Sequence, residues 1–176
     1  MAKQSCMKPQ DIVVLLKKLT TQGQAMLNKD IASSLQLSAS EVSEALERCR
    51  NAKLVDETKK EVRKLALQEF LVHGLKYVFP AEAGRVMRGV PTATSASPMK
   101  EVINSSNEVF VWPCRQGHER GQAITPLYPT VPFAVEQDAE LHQLLAIVDS
   151  LRIGRAREAG IARQKLEEFL TKPSAS

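Results

Sequence analysis

The sequence predicts a mainly α protein with one small β hairpin, and three observations lead there. Apolar residues recur at three- and four-residue spacing over four stretches of the first 78 residues, and again after Asp138. A short extended pair, Leu54-Val55, is followed by a charged turn and by Glu61-Val62-Arg63. Seven of the nine prolines fall between residues 79 and 134, a density that excludes regular helix and central strand there. The chain therefore divides into a helical domain with its hairpin (8–78), a Pro-rich ordered excursion (79–134) and a C-terminal helical region (135–171).

Pro9 opens the first helix where a missing N–H costs nothing. Ile12, Val13, Leu15, Leu16 and Leu19 give it a broad apolar face, with Lys17 and Lys18 turned to solvent. Thr20-Thr21-Gln22-Gly23-Gln24 ends it. A second helix spans about Asn28–Leu35, with Asn28 as N-cap. Its inner face is Ile31, Ala32 and Leu35, and Ala32 is small enough for a neighbouring helix to approach closely. Leu37 lies in the following turn. Ser38-Ala39-Ser40-Glu41 is a capping box that opens a third helix over 38–51, in which Val42, Ala45, Leu46 and Cys49 share a face. Two short helices crossed at a tight turn, the second capped, form a helix-turn-helix, which offers its second helix to the DNA major groove. Such turns often carry Gly where this chain has Gln36. A non-Gly residue at positive φ is uncommon, so a longer or differently wound turn is expected.

Residues 54–63 then read as a short hairpin after the recognition helix, the wing of a winged helix. Leu67, Phe70, Leu71, Leu75 and Val78 continue as an amphipathic helix over about Lys64–Tyr77. Within the Pro-rich stretch, Val109-Phe110-Val111-Trp112 and Ile124-Thr125-Pro126-Leu127-Tyr128 are apolar islands. They predict an ordered, irregular segment with a short strand or two. Gly117-His118-Glu119-Arg120-Gly121 reads as a hairpin turn. Arg85 and Arg88 read as surface charges, with a phosphate or partner contact as the alternative. Leu141, Leu144, Leu145, Val148 and Leu151 form one stripe, followed by a helical run from Ala156 to Leu170. Gly154 and Gly160 leave one bent helix or two.

Charge has a location. Residues 1–78 carry 13 Lys+Arg against 9 Asp+Glu, an excess equal to the chain's whole net charge of +4. The basic excess thus travels with the helix-turn-helix, as an electrostatic footprint for phosphates would. The apolar runs are too short to span a bilayer. Met1-Ala2-Lys3-Gln4-Ser5-Cys6 leads into no signal-peptide core, so a cytoplasmic protein is expected. Cys6, Cys49 and Cys114 are widely separated, which suggests neither a disulfide framework nor a zinc site. No phosphate-binding, dinucleotide-binding or nucleophile-elbow motif occurs, and His73, His118 and His142 are isolated. Neither catalysis, metal nor cofactor is expected. An enzyme site assembled from Arg115, His118 and Glu119 is the weakest of the functional classes.

The outward residues of the recognition helix are read as Ala39, Ser40, Ser43, Glu44, Glu47 and Arg48. Candidate DNA contacts are Ser38, Ser40, Ser43 and Arg48, with Glu44 accepting from a cytosine amino group. Lys29 is a further candidate, and Lys59, Lys60 and Arg63 are the candidate wing contacts to phosphate. Three glutamates on this helix (Glu41, Glu44 and Glu47) oppose tight DNA binding unless nearby cations offset them.

On Asn28-Lys29-Asp30-Ile31-Ala32-Ser33-Ser34-Leu35, on Leu37 to Arg48, and on Leu54-Val55, the chain resembles the winged helix-turn-helix of bacterial and archaeal regulators, the MarR-like group in particular. The resemblance covers Leu27–Arg63, about a fifth of the chain. It implies a transcriptional regulator of double-stranded DNA and a homodimer made through the terminal helices. The stripe on Leu141 to Leu151 stands at that seam or in the monomer's own core. The Pro-rich excursion departs from the group. The alternative is a protein-interaction module, such as the antitoxin or adaptor of a toxin–antitoxin pair, whose winged helix or C-terminal region meets a protein partner.

Overall fold

The computed structural model describes residues 6–103 and 107–173. Met1–Ser5, which entered the reading of the N-terminal stretch, lie outside the described residues. The chain is mostly helical, with a small three-stranded sheet. The helices of the first part are α1 (Pro9–Leu19), α2 (Thr21–Gln24), α3 (Asn28–Ser34), α4 (Ala39–Asn51), α5 (Lys64–His73) and α6 (Leu75–Val78). The sheet strands are β1 (Val86–Pro91), β2 (Phe110–Pro113) and β3 (Glu119–Ala123). They are followed by α7 (Val131–Ala134), α8 (Ala139–Ile153) and α9 (Ala156–Thr171). No helix among the described residues is long and apolar enough to cross a membrane.

One hydrophobic core runs through all three segments, from Ile12 to Leu170. α1 is its spine, packing on α3 and α4 at one side and on α8 at the other. Two buried ion pairs fix those contacts. Asp11 accepts both Arg48 Nη2 (2.7 Å) and Arg48 Nε (2.8 Å), joining α1 to α4. Lys17 donates to Asp138 Oδ2 at 2.6 Å, and Asp138 Oδ1 caps α8 by accepting from the Leu141 amide. Lys17 is therefore buried (1% exposed), not turned to solvent, because α8 covers its side of α1. The stripe Leu141, Leu144, Leu145, Val148 and Leu151 is likewise buried within the chain. It closes the protein's own core and is not available as a dimer seam.

Local sequence explains most boundaries. α3 starts at Asn28 with Leu27 as its cap residue, one position earlier than expected, because Asp30 Oδ2 accepts from the Leu27 amide (3.3 Å) and ends the turn there. Gly74 separates α5 from α6, and Gly154 separates α8 from α9, which are two helices. The hairpin after α4 is a single antiparallel bridge, Val55 with Val62.

The sheet lies wholly inside the Pro-rich stretch, where no central strand was expected. Each of its strands has a neighbour on both sides, with Pro91 and Pro113 at strand ends, where a missing donor breaks no interior rung. A short helix, α7, also forms in the stretch, with Pro132 in its first turn. β2 pairs antiparallel with Gly89–Pro91 and β3 with Val86–Gly89, while Phe110 and Val111 pair in parallel with Gln122 and Ala123. The three strands close on themselves. Residues 114–118 form no hairpin turn. They carry the chain across β1 at Gly89, which pairs with Pro113 and with Glu119. A Cβ on Gly117 would lie 2.2 Å from the Gly89 backbone, and one on Gly89 would lie 2.0 Å from the Trp112 carbonyl oxygen. The crossing requires both glycines.

A buried polar network ties this sheet to α8. Asp149 Oδ2 accepts from Trp112 Nε1 (2.7 Å) and Thr92 Oγ1 (2.8 Å), and its Oδ1 accepts from Arg152 (2.9 Å). Arg152 also donates to the carbonyls of Phe79 and Thr125, gathering both flanks of the excursion. Burial pushes the Asp149 carboxyl above its ordinary range, against the pull of Arg152. His142 shares a 2.7 Å hydrogen bond with the Pro91 carbonyl and packs by Trp112, a structural placement.

Candidate nucleic-acid interface

The turn between α3 and α4 sets the angle at which α4 is presented. The Leu37 amide donates to the Ala32 carbonyl (2.9 Å) and the Gln36 amide to the Ser33 carbonyl (3.2 Å), the two bonds of a Schellman motif. Gln36 takes the left-handed position at φ 52° that glycine usually fills. The turn is thus of ordinary length and winding, with a strained residue in it. Leu37 then buries its side chain beneath the turn.

Ser38 caps α4 as its spacing predicts. The Glu41 amide donates to Ser38 Oγ (3.2 Å), and the Ser38 amide donates to Glu41 Oε2 (2.7 Å). That backbone bond from Ser38 holds the Glu41 carboxyl below its usual range. Ser38 Oγ also shares a 3.1 Å hydrogen bond with Ser40 Oγ. Val42, Ala45, Leu46 and Cys49 face the core, and burial pushes the Cys49 thiol up to about 12, leaving it unreactive at neutral pH. Ala39, Ser40, Ser43 and Glu44 are exposed on the opposite face, and Lys29 is exposed at the start of α3.

Arg48 departs from its expected outward position. Its side chain is 5% exposed and both of its ion-pair contacts to Asp11 are buried, with Glu44 at 3.8 Å the only exposed acid near it. A guanidinium so held cannot leave for a base without stranding Asp11. The spacing did carry a hint: Asp11, Leu15 and Leu19 stand four residues apart, so Asp11 shares a face with core leucines.

The hairpin is shaped by Asp56. Its Oδ1 accepts from the Lys60 and Glu61 amides (2.8 and 2.9 Å), and its Oδ2 accepts from the amide and hydroxyl of Thr58. These bonds, the Thr58 hydroxyl first, lower its carboxyl to about 2. Lys59, left-handed at φ 60°, turns back to Glu47 Oε2 at 3.1 Å. Arg50 also pairs with Glu47, and Glu57 takes Lys53 (3.1 Å) and Arg50 (3.6 Å). Of the three glutamates of α4, Glu47 is offset by Arg50 and Lys59, cations that would otherwise face phosphate, whereas Glu41 bonds the Ser38 amide and Glu44 stands 3.8 Å from an Arg48 already held by Asp11. Lys60 and Arg63 are exposed and make no ion pair among the described residues. Beside them a polar cleft of about 360 Å³ is lined by Lys18, Gln24, Lys60, Glu61 and Lys64, among others. Burial there lowers the Lys18 ammonium, with Asp56 opposing.

The structure thus brings Ser38, Ser40, Ser43 and Glu44 together on one exposed face, puts Lys60 and Arg63 on the adjoining hairpin, and withdraws Arg48 and Lys59. Sequence reasoning missed the Glu47–Lys59 link, which spans twelve residues and follows no helical period. No group of three or more His, Cys, Asp or Glu placed to hold a metal occurs among the described residues. Compared with protein-family models, with curated proteins and with solved structures, the chain matches none.

Proposed function

We propose that the protein binds double-stranded DNA selectively and acts as a transcriptional regulator, with a cytoplasmic location as the corollary. The observation that carries this reading is the face of α4 that no other element covers. Short hydroxyls at Ser40 and Ser43 and the carboxylate of Glu44 project from a capped, rigidly turned helix. Such side chains suit base edges in a major groove. Lys29, Lys60 and Arg63 supply the phosphate contacts that fix register without reading sequence. Two copies on paired half-sites would raise affinity in the usual way, through a surface other than the α8 stripe.

Selection of bound duplexes from a random library tests this directly. Ser43→Ala should relax preference at one base position, a change worth roughly 1–3 kcal/mol against the wrong base. No enriched motif for the wild type, or identical motifs for wild type and variant, counts against the α4 reading. The withdrawal of Arg48 favours one second reading, because it leaves Glu44 as the exposed charge of α4 among the described residues. On that reading α4 meets a basic protein partner, and binding to duplex DNA is absent even at low salt.

A further inference from the structure

The register of β1 with β3 sets Arg88 directly opposite Arg120. Antiparallel partners project to the same side of a sheet with Cβ atoms about 4.5–5.5 Å apart, where like charges repel. Both side chains are exposed, and neither makes an ion pair among the described residues. Their neighbours on β1 and β3 on that side, Val86 and Gln122, carry no carboxylate, and Glu108, which the parallel register of β2 with β3 sets level with Arg120, makes no ion pair with it among the described residues. Glu119 alternates to the other side of β3. Arg85, just before β1, and Arg115, on the loop that crosses it, are also exposed and without an ion pair among the described residues. The Asp149 network holds this sheet on α8, so the arginines stand on a braced support. Guanidinium groups not taken up by ion pairs match the bidentate geometry of phosphate oxygens. The sheet's aromatic residues, Phe110 and Trp112, are half-buried and buried, so no exposed ring of these strands offers a base a stacking surface.

We propose that the exposed Arg88–Arg120 pair of β1 and β3 binds the phosphodiester backbone of nucleic acid without regard to base sequence. This site is separate in residues from the α4 face and can stand or fall without it.

The test titrates full-length protein into duplex DNA of unselected sequence, by fluorescence anisotropy at several salt concentrations. Arg88→Gln/Arg120→Gln and Lys60→Gln/Arg63→Gln are compared with wild type. Each lost phosphate contact lowers the slope of log K against log salt by about 0.9. The sheet variant should therefore lose about 1.8 in slope, with a melting temperature unchanged or raised because the repulsion is gone. Arg88→Lys/Arg120→Lys should keep most of the slope while binding more weakly. An unchanged slope in the Gln sheet variant overturns the proposal, and if the hairpin variant alone falls, the α4 reading survives without the sheet. A fall in the sheet variant alone supports the sheet site and removes the hairpin from the other reading. A sheet variant that melts well below wild type reveals a structural role and overturns the proposal. So does a wild-type chain that binds poly-glutamate but not DNA.

Discussion

The surroundings of α4 in the helical region and the sheet over residues 86–123 handle charge in opposite ways. Around α4, Arg48, Arg50, Lys53 and Lys59 all reach carboxylates of the same region. On and beside the sheet, Arg85, Arg88, Arg115 and Arg120 reach none among the described residues. Yet residues 1–78 carry an excess equal to the chain's net positive charge, and residues 79–131 sum only to +1. Net charge by segment is thus a poor guide to where an anion would dock. The pairing of each cation decides, because a guanidinium already bonded to a carboxylate must lose that bond before it gains a phosphate. Paired cations should carry stability and unpaired ones binding.

The sharpest way to break that distinction is Arg48→Ala. It leaves Asp11 buried at 0% exposure with its charge uncompensated, and should cost about 3–5 kcal/mol in urea denaturation. Replacing both members with apolar residues, Asp11→Leu/Arg48→Met, should recover most of that loss. An Arg48→Ala chain as stable as wild type would mean that the arginine is free for a ligand after all.

Trp112→Phe asks whether the sheet, whose arginines are unpaired, is held by its contact with α8. The ring remains, but Asp149 loses one of its donors, at a cost of about 1–3 kcal/mol. Native-state hydrogen exchange should show faster exchange across β1 and β2, with α3 and α4 little changed. Uniform loss of protection throughout the chain would show instead that the two regions open only together.

Gln36→Gly has the smallest expected effect, and it stabilises. Relief of the left-handed backbone at φ 52° should add about 0.5–1 kcal/mol, read from a thermal or urea midpoint. A destabilised variant would mean that the α3–α4 turn is set by something other than the Schellman bonds.

The same contrast explains what could be read from the sequence. α1, α3 and α4, the Ser38 cap and the hairpin bridge are set by spacings of three, four or a few residues, so the chain displays them locally. α8 was legible as a stripe, but the stripe alone did not say which surface covers it. Lys17 looked solvent-facing because its partner, Asp138, is 121 residues away. β2 was legible as the Val109–Trp112 island, but the pairing of the sheet was hidden for the same reason. Its prolines sit at strand ends, its glycines serve a crossing instead of a hairpin, and Trp112 meets Asp149 across 37 residues. Of the candidate interface, Ser38, Ser40, Ser43 and Glu44 follow from helical period, whereas the fates of Arg48 and Lys59 depend on contacts between elements. Arg120 drew no attention because its meaning lies in the residue opposite.

The most direct test of a DNA-binding role is to titrate the isotope-labelled, 19.5 kDa chain with duplex DNA and follow its backbone amides by NMR. Shifts concentrated at residues 38–44 and 56–63 are expected, with separate changes at Arg88 and Arg120. Excess duplex at low salt that leaves residues 38–44 and 56–63 unshifted would contradict that role.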